Sequence, residues 1–148
     1  MDTLRIRTAL VEDAPALAPL LGELGYPADA ERVRARLDQL LRNAAPPDTD
    51  AVFVAQRPGD DVVGLLALHR FAGLHADAPV ALITALVVAE RARGTGVGRQ
   101  LIERAVGAAR AWGCERLMVT THVRRADAHA FYERIGFELT GRRYVREV

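Results

Sequence analysis

The sequence predicts an α/β domain, one mixed sheet with helices on both faces. Three observations predict it. The run VALITALVVA (80–89) is apolar nearly end to end, as a central strand buried on both faces is. The segments AVFVAQ (51–56) and VVGLLALHR (62–70) flank the turn PGDD (58–61), which is a hairpin pattern. Four other segments repeat apolar residues at helical spacing. At 148 residues the chain is long enough for a sizeable core, and it reads as a single domain over 1–148.

LRIRTAL (4–10) alternates and reads as the first strand. Asp13 is placed to cap a helix that carries Leu17, Leu20, Leu21 and Leu24 on one face. Pro15 suits its first turn, whereas Pro19 predicts a kink. LGYP (24–27) breaks the chain, and Val33, Leu37, Leu40 and Leu41 mark a second helix. The hairpin and the central strand come next. Val97, Leu101, Ala105, Ala108 and Trp112 then form one stripe of a long helix that Gly113 ends. RLMVTTH (116–122) is a strand. Ala128, Phe131, Tyr132 and Ile135 mark a short helix with Asp127 as its cap and Gly136 at its stop. FELTGRRYVREV (137–148) supplies the closing strand or strands. The order is β-α-α-β-β-β-α-β-α-β.

Composition excludes several classes. The formal net charge is +1, which gives no electrostatic reason to expect nucleic acid or an anionic membrane as partner. No apolar run reaches membrane-spanning length. One cysteine, Cys114, allows no internal disulfide and fits a reducing cytoplasm. Lysine is absent, so all 20 fixed cationic side chains are arginine. No cluster with metal-ligand spacing appears.

The chemistry concentrates where the central strand hands over to the long helix, in ERARGTGVGRQLIERA (90–105). A helix N-terminus leaves backbone N–H groups unpaired and carries partial positive charge. Gly94, Gly96 and Gly98 let a ligand approach those amides without Cβ atoms intervening. Arg91, Arg93 and Arg99 add positive charge around them. Together these features describe a phosphate site. A P-loop is excluded because it needs lysine, and the dinucleotide fingerprint lacks its third glycine.

Arg93, Gly96 and Gly98 match [RQ]-x-x-G-x-[GA], so this stretch resembles the acetyl-CoA pyrophosphate motif of the GNAT superfamily of N-acetyltransferases. DAHAFYERIGFELTG (127–141) is similar to that superfamily's second signature, a helix ending in FYxxxGF. RIRTALVEDAPALAPLLGELGYP (5–27) resembles its first strand and paired helices. The resemblance spans essentially the whole chain. It implies a mostly antiparallel central sheet and acetyl-CoA as co-substrate without a metal. It also implies a coenzyme site at Leu86, Val87, Val88, Arg93, Gly94, Thr95, Gly96, Val97, Gly98 and Arg99. Leu86 and Val88 would bond the pantetheine arm through their backbone, and the amides of 93–99 would meet the diphosphate.

The implied reaction is direct acetyl transfer to a primary amine, with the small-molecule acceptor and the coenzyme in one cleft. Tyr132 matches the tyrosine that donates a proton to the leaving thiolate. The base is open. Many relatives place a glutamate on the central strand, where this chain has only Thr84 as a polar residue. His122, His69 and His75 are further candidates, while Glu90 is expected in solvent and His129 lies three residues before Tyr132. Relatives also carry asparagine seven residues before the helix tyrosine, where this chain has Arg125, beside Arg124. LGYPADAER (24–32) and RFAGLHADAPV (70–80) would wall the acceptor site, with Tyr26 and His75 as contacts. Two other functions stay open at this point: a protein N-terminal acetyltransferase, and an acetyl-CoA-sensing module without transfer. Analogy also raises a homodimer.

Overall fold

Three antiparallel pairings build the sheet. Strand β1 (Arg5–Thr8) pairs β2 (Asp50–Arg57), β2 pairs β3 (Asp61–Phe71), and β3 pairs β4 (Val80–Val88). β5 (Arg116–Val119) completes the order β1-β2-β3-β4-β5. The helices are α1 (Ala14–Leu24), α2 (Ala30–Arg42), α3 (Val97–Ala111) and α4 (Ala126–Arg134). This computed structural model describes residues 3–42, 49–120, 126–141 and 143–148. The chain divides into two compact units, 1–118 and 119–148.

In the first unit, the core is the sheet interior. Val54, Val63, Leu66, Leu68 and Ile83 are fully buried. Val97, Leu101, Ala105 and Ala109 of α3 press on one face of β3, where Gly64 makes room for them. A Cβ on Gly64 would meet Leu101 Cδ1 and Val97 Cγ1 at 3.0 Å and Ala55 Cβ at 3.1 Å. The Ala55 methyl cannot rotate away. Gly64→Ala is therefore expected to destabilise by about 1–3 kcal/mol through overpacking, outweighing the entropy alanine gains in a strand. Urea denaturation measures this, and an unchanged midpoint would contradict the packing. α1 lies on β3 and β4, and α2 on β2 and α1, covering Val52, Val54, Leu65 and Ala67.

Two β-bulges break the registers. Ala55 pairs Gly64 but Gln56 pairs Val62, so Val63 is the extra residue of β3. Its carbonyl is taken by the Ala89 N–H at 2.8 Å. Leu68 pairs Ile83 but Ala67 pairs Ala85, which leaves Thr84 as the extra residue of β4.

Several sequence expectations need correction. Asp13 makes no side-chain cap on α1. It is buried instead, chelated by Arg7 through two 2.8 Å bonds and accepting the Leu10 N–H at 2.7 Å. Asp29, not singled out, caps α2 by accepting the Arg32 N–H at 2.8 Å. β4 is buried over Val80 and Ala81, yet Thr84 is exposed and Ala85, Leu86 and Val88 are half-buried. Its neighbour β5 is 4 residues long against 9 in β4.

The second unit holds α4, ended as expected by Gly136 at φ +98°. Asp127 lies inside the first turn of α4 rather than before it, where its charge complements the helix dipole. The expected closing strand is not formed among the described residues of 137–148. Leu139, Tyr144 and Val145 there are exposed.

Candidate functional site

The turn between β4 and α3 is shaped by glycine where glycine is required. Gly94 and Gly96 have φ of +78° and +87°, in the left-handed region. Thr95 between them turns its hydroxyl back to the Ala92 carbonyl at 2.5 Å. Gly96 opens α3 with no side-chain cap, so the first amides of the helix have no partner within it. A Cβ at Gly94 or at Gly96 would meet nothing within 4 Å. The head of α3 thus faces open space.

The arginines around the turn are not equivalent. Arg91 is drawn to Asp61 at 2.7 Å and to the Val62 carbonyl. Asp61 also accepts from Arg57 at 2.9 Å, and its carboxyl is held below the ordinary range by Arg91 first and Arg57 second. Arg91 is therefore a structural tie, contrary to its expected place in the positive rim. Arg93 donates to the Val88 carbonyl at 3.2 Å and lies 3.7 Å from Glu23 of α1. Glu23 also accepts the Glu90 N–H at 3.1 Å, so α1 braces the turn. Arg99 is exposed on the first turn of α3.

One polar cluster lies beside the half-open run of β4. His69 Nδ1 is 2.6 Å from Asp50 Oδ1, and His69 Nε2 is 2.5 Å from Thr84 Oγ1. The three residues come from adjacent strands. Asp50 and His69 are cross-strand partners, and the Thr84 bulge brings its hydroxyl to the other ring nitrogen. The side chains of His69 and Asp50 are 24% and 14% exposed. Thr84 and His69 were sequence candidates, whereas Asp50 was missed. His75 is exposed, with its ring folded over Gly73, and Tyr26 is 66% exposed after α1. These two do not join the cluster.

In the second unit Tyr132 is half-buried on α4 between two edge-on rings. Phe131 lies 5.5 Å away and Phe137 5.6 Å away, centroid to centroid. His129 is half-buried on the same helix. His122, Arg124 and Arg125 fall outside the described residues.

Residues 14–137 match the acetyltransferase (GNAT) family. The chain belongs to that family. Membership makes it an acetyl-CoA-dependent N-acetyltransferase on a GNAT fold. The chain is 32% identical over 147 residues to the aminoalkylphosphonate N-acetyltransferase of Salmonella typhimurium, covering 99% of this chain and 92% of that one. It is 32% identical over 140 residues to the aminoglycoside N(6')-acetyltransferase type 1 of Stenotrophomonas maltophilia, covering 93% and 88%. The fold superposes on the aminoglycoside N-acetyltransferase AAC(6')-Iy in complex with CoA at a TM-score of 0.85. That match covers 100% of this chain and 96% of that one, at 19% identity.

The residues present suit a GNAT co-substrate. A diphosphate needs bare amides with no side chain in the way, and the turn from Gly94 to Gly96 offers both. An extended thiol-bearing arm needs strand backbone within reach, and Thr84 of β4 is exposed while Ala85, Leu86 and Val88 are half-buried. Among the described residues no helix is long and apolar enough to cross a membrane, and no group of three His, Cys, Asp or Glu could hold a metal.

Proposed function

We propose that the chain transfers the acetyl group of acetyl-CoA to the primary amine of a small molecule, both substrates being bound together. One observation carries this reading. The open, side-chain-free head of α3 continues, within one compact unit, into the half-open run Thr84–Val88 of β4. In this reading the amides of Arg93 to Arg99 hold the diphosphate, with Thr95, Val97 and Gly98 contributing backbone only. The backbone of Leu86 and Val88 holds the pantetheine arm, and Val87, which is buried, anchors that stretch to the core. Tyr26 and His75 line the acceptor side. The names of the two relatives, one for aminoalkylphosphonates and one for aminoglycosides, support a small amine over a protein terminus.

The thioester supplies an activated acetyl carbon. The chain's part is to align the amine with it, to support the developing oxyanion with a strand N–H, and to protonate the leaving sulfur. Tyr132, in the FYERIGF segment, is assigned that last role.

Thiol release from acetyl-CoA, measured with an aminoalkylphosphonate, an aminoglycoside and a peptide with a free N-terminus, tests the reading. Turnover with either small amine supports it. Turnover with the peptide alone points to a protein N-terminal acetyltransferase. Binding without any turnover leaves a coenzyme-sensing module. Tyr132→Phe is expected to lower kcat by about 10²-fold, the low end for a general acid because a thiolate leaves readily. The KM for acetyl-CoA should stay unchanged. An unaltered kcat would remove Tyr132 from the chemistry.

A further inference from the structure

We propose that Asp50, His69 and Thr84 form the proton-accepting arm of the transfer, with His69 as the base reached through the Thr84 hydroxyl. This rests on the acetyl-transfer reading above. It answers the question left by the missing carboxylate on the central strand.

The geometry has the order a relay requires. Asp50 Oδ1 sits 2.6 Å from His69 Nδ1, so the carboxylate holds the ring proton on that nitrogen. This leaves the lone pair of Nε2 directed at Thr84 Oγ1, 2.5 Å away. The second oxygen of Asp50 is 3.4 Å from the Thr49 hydroxyl. A base oriented by a carboxylate and in hydrogen-bond reach of a hydroxyl is the arrangement that moves protons in many active sites. Here the hydroxyl lies on the exposed residue of a bulge, two positions before Leu86. A strand advances ~3.3 Å per residue, so Thr84 is within about 7 Å of the backbone assigned to the pantetheine arm.

Among the described residues Asp50 is the charged group bonded to His69. From β4 it meets the uncharged Thr84. On its own strand, Arg70 points to the opposite face, toward the carbonyl of Trp112. α1 packs on β3, but its one ionisable side chain, Glu23, is engaged at the Glu90 N–H and Arg93. α3 lies on the other face, with Arg104 over Phe53. His75, in the loop after β3, is folded over Gly73.

The amine nitrogen forms its bond to the acetyl carbon as the carbon–sulfur bond breaks. One proton leaves nitrogen for Thr84 Oγ1, and the Thr84 hydroxyl proton passes to His69 Nε2. The resulting imidazolium is paired with Asp50 and later returns its proton to solvent. The sulfur takes the proton assigned to Tyr132, and the phenolate left behind is re-protonated from solvent.

The test is the pH profile of kcat for His69→Gln, Asp50→Asn, Thr84→Val and Thr84→Ser, with an aminoalkylphosphonate or an aminoglycoside as acceptor. Acetyl-CoA affinity is measured alongside by calorimetry. A base must be neutral to accept a proton, so a rate that depends on one falls toward acid pH. His69→Gln should lower kcat by about 10²-fold and flatten that acid limb, with acetyl-CoA affinity unchanged. Thr84→Ser, which keeps the hydroxyl, should retain most activity, while Thr84→Val should not. A purely structural cluster would change melting temperature and leave the profile's shape intact. An unaltered profile in His69→Gln, or equal rates for Thr84→Ser and Thr84→Val, overturns the relay while wild-type turnover stands. Failure of the wild type to bind acetyl-CoA overturns the coenzyme reading and the relay with it.

Discussion

Gly96→Val is expected to lower kcat/KM for acetyl-CoA by about 10³-fold, which corresponds to losing two charge-assisted hydrogen bonds of about 2 kcal/mol each. Two effects act together. Gly96 sits at φ +87°, where a β-branched residue is strained by roughly 1–2 kcal/mol and pulls the backbone away. A Cβ there also projects into space that no protein atom occupies within 4 Å, the space assigned to the diphosphate. The same openness makes the change tolerable to the fold, because nothing packed is displaced. Binding by calorimetry and melting by circular dichroism separate the two. Loss of affinity in a folded variant supports the assignment, and full affinity would place the diphosphate elsewhere.

The second large effect concerns stability. Arg7→Ala should destabilise by about 3–5 kcal/mol, because it leaves the Asp13 carboxylate buried without its counter-ion. Asp13 is 8% exposed, and Arg7 spans it with two bonds while its Nε holds Gln56 at 2.7 Å. At 2–4 °C per kcal/mol, melting falls by about 10 °C. Replacing both partners, Arg7→Met with Asp13→Leu, should restore most of that loss, since the cost lies in the orphaned charge. A single variant melting with the wild type would show that water reaches the carboxylate.

A pH signature goes with this pair. The hydrogen bond from Arg7 holds the Asp13 carboxyl below its ordinary value of 3.8, and the same bond raises Arg7. A carboxyl lowered on folding binds fewer protons folded than unfolded. Its stabilisation is complete above its ordinary value and is lost as pH falls through the folded one. In the wild type, melting should drop steeply below about pH 4. Asp13→Asn should be less stable at neutral pH and show a shallower drop in acid. Parallel curves for the two proteins would remove Asp13 from acid unfolding.

The parts legible in the sequence were those that local chemistry dictates. Alternation, a hairpin turn and one continuous apolar run located strands, period 3.6 located four helices, and Gly94 and Gly96 announced a side-chain-free turn before a helix. The closing strand was not recovered among the described residues, and Leu139, Tyr144 and Val145 of that segment are exposed. Asp13 was misread because a carboxylate three residues into a chain turn looks like a cap, while its pairing with Arg7 is a tertiary matter. The polar cluster was half legible. Counted from the turn, where Arg57 opposes Asp61, Asp50 would face Leu68. The extra residue Val63 moves the register by one and sets Asp50 against His69. The bulge at Thr84 does the same on the next strand. Bulges leave no reliable mark in a single sequence, so three residues from three strands could be candidates separately without being seen as one group.

Asp61 is the first residue of its strand, yet it grips Arg91, a few positions ahead of the glycines, as well as Arg57 on the hairpin's outgoing limb. The hairpin tip and the approach to the helix are therefore buckled together. The contour of that loop is borrowed from the sheet's rim, so grafting residues 93–99 alone onto another protein would transplant the letters and leave the shape behind.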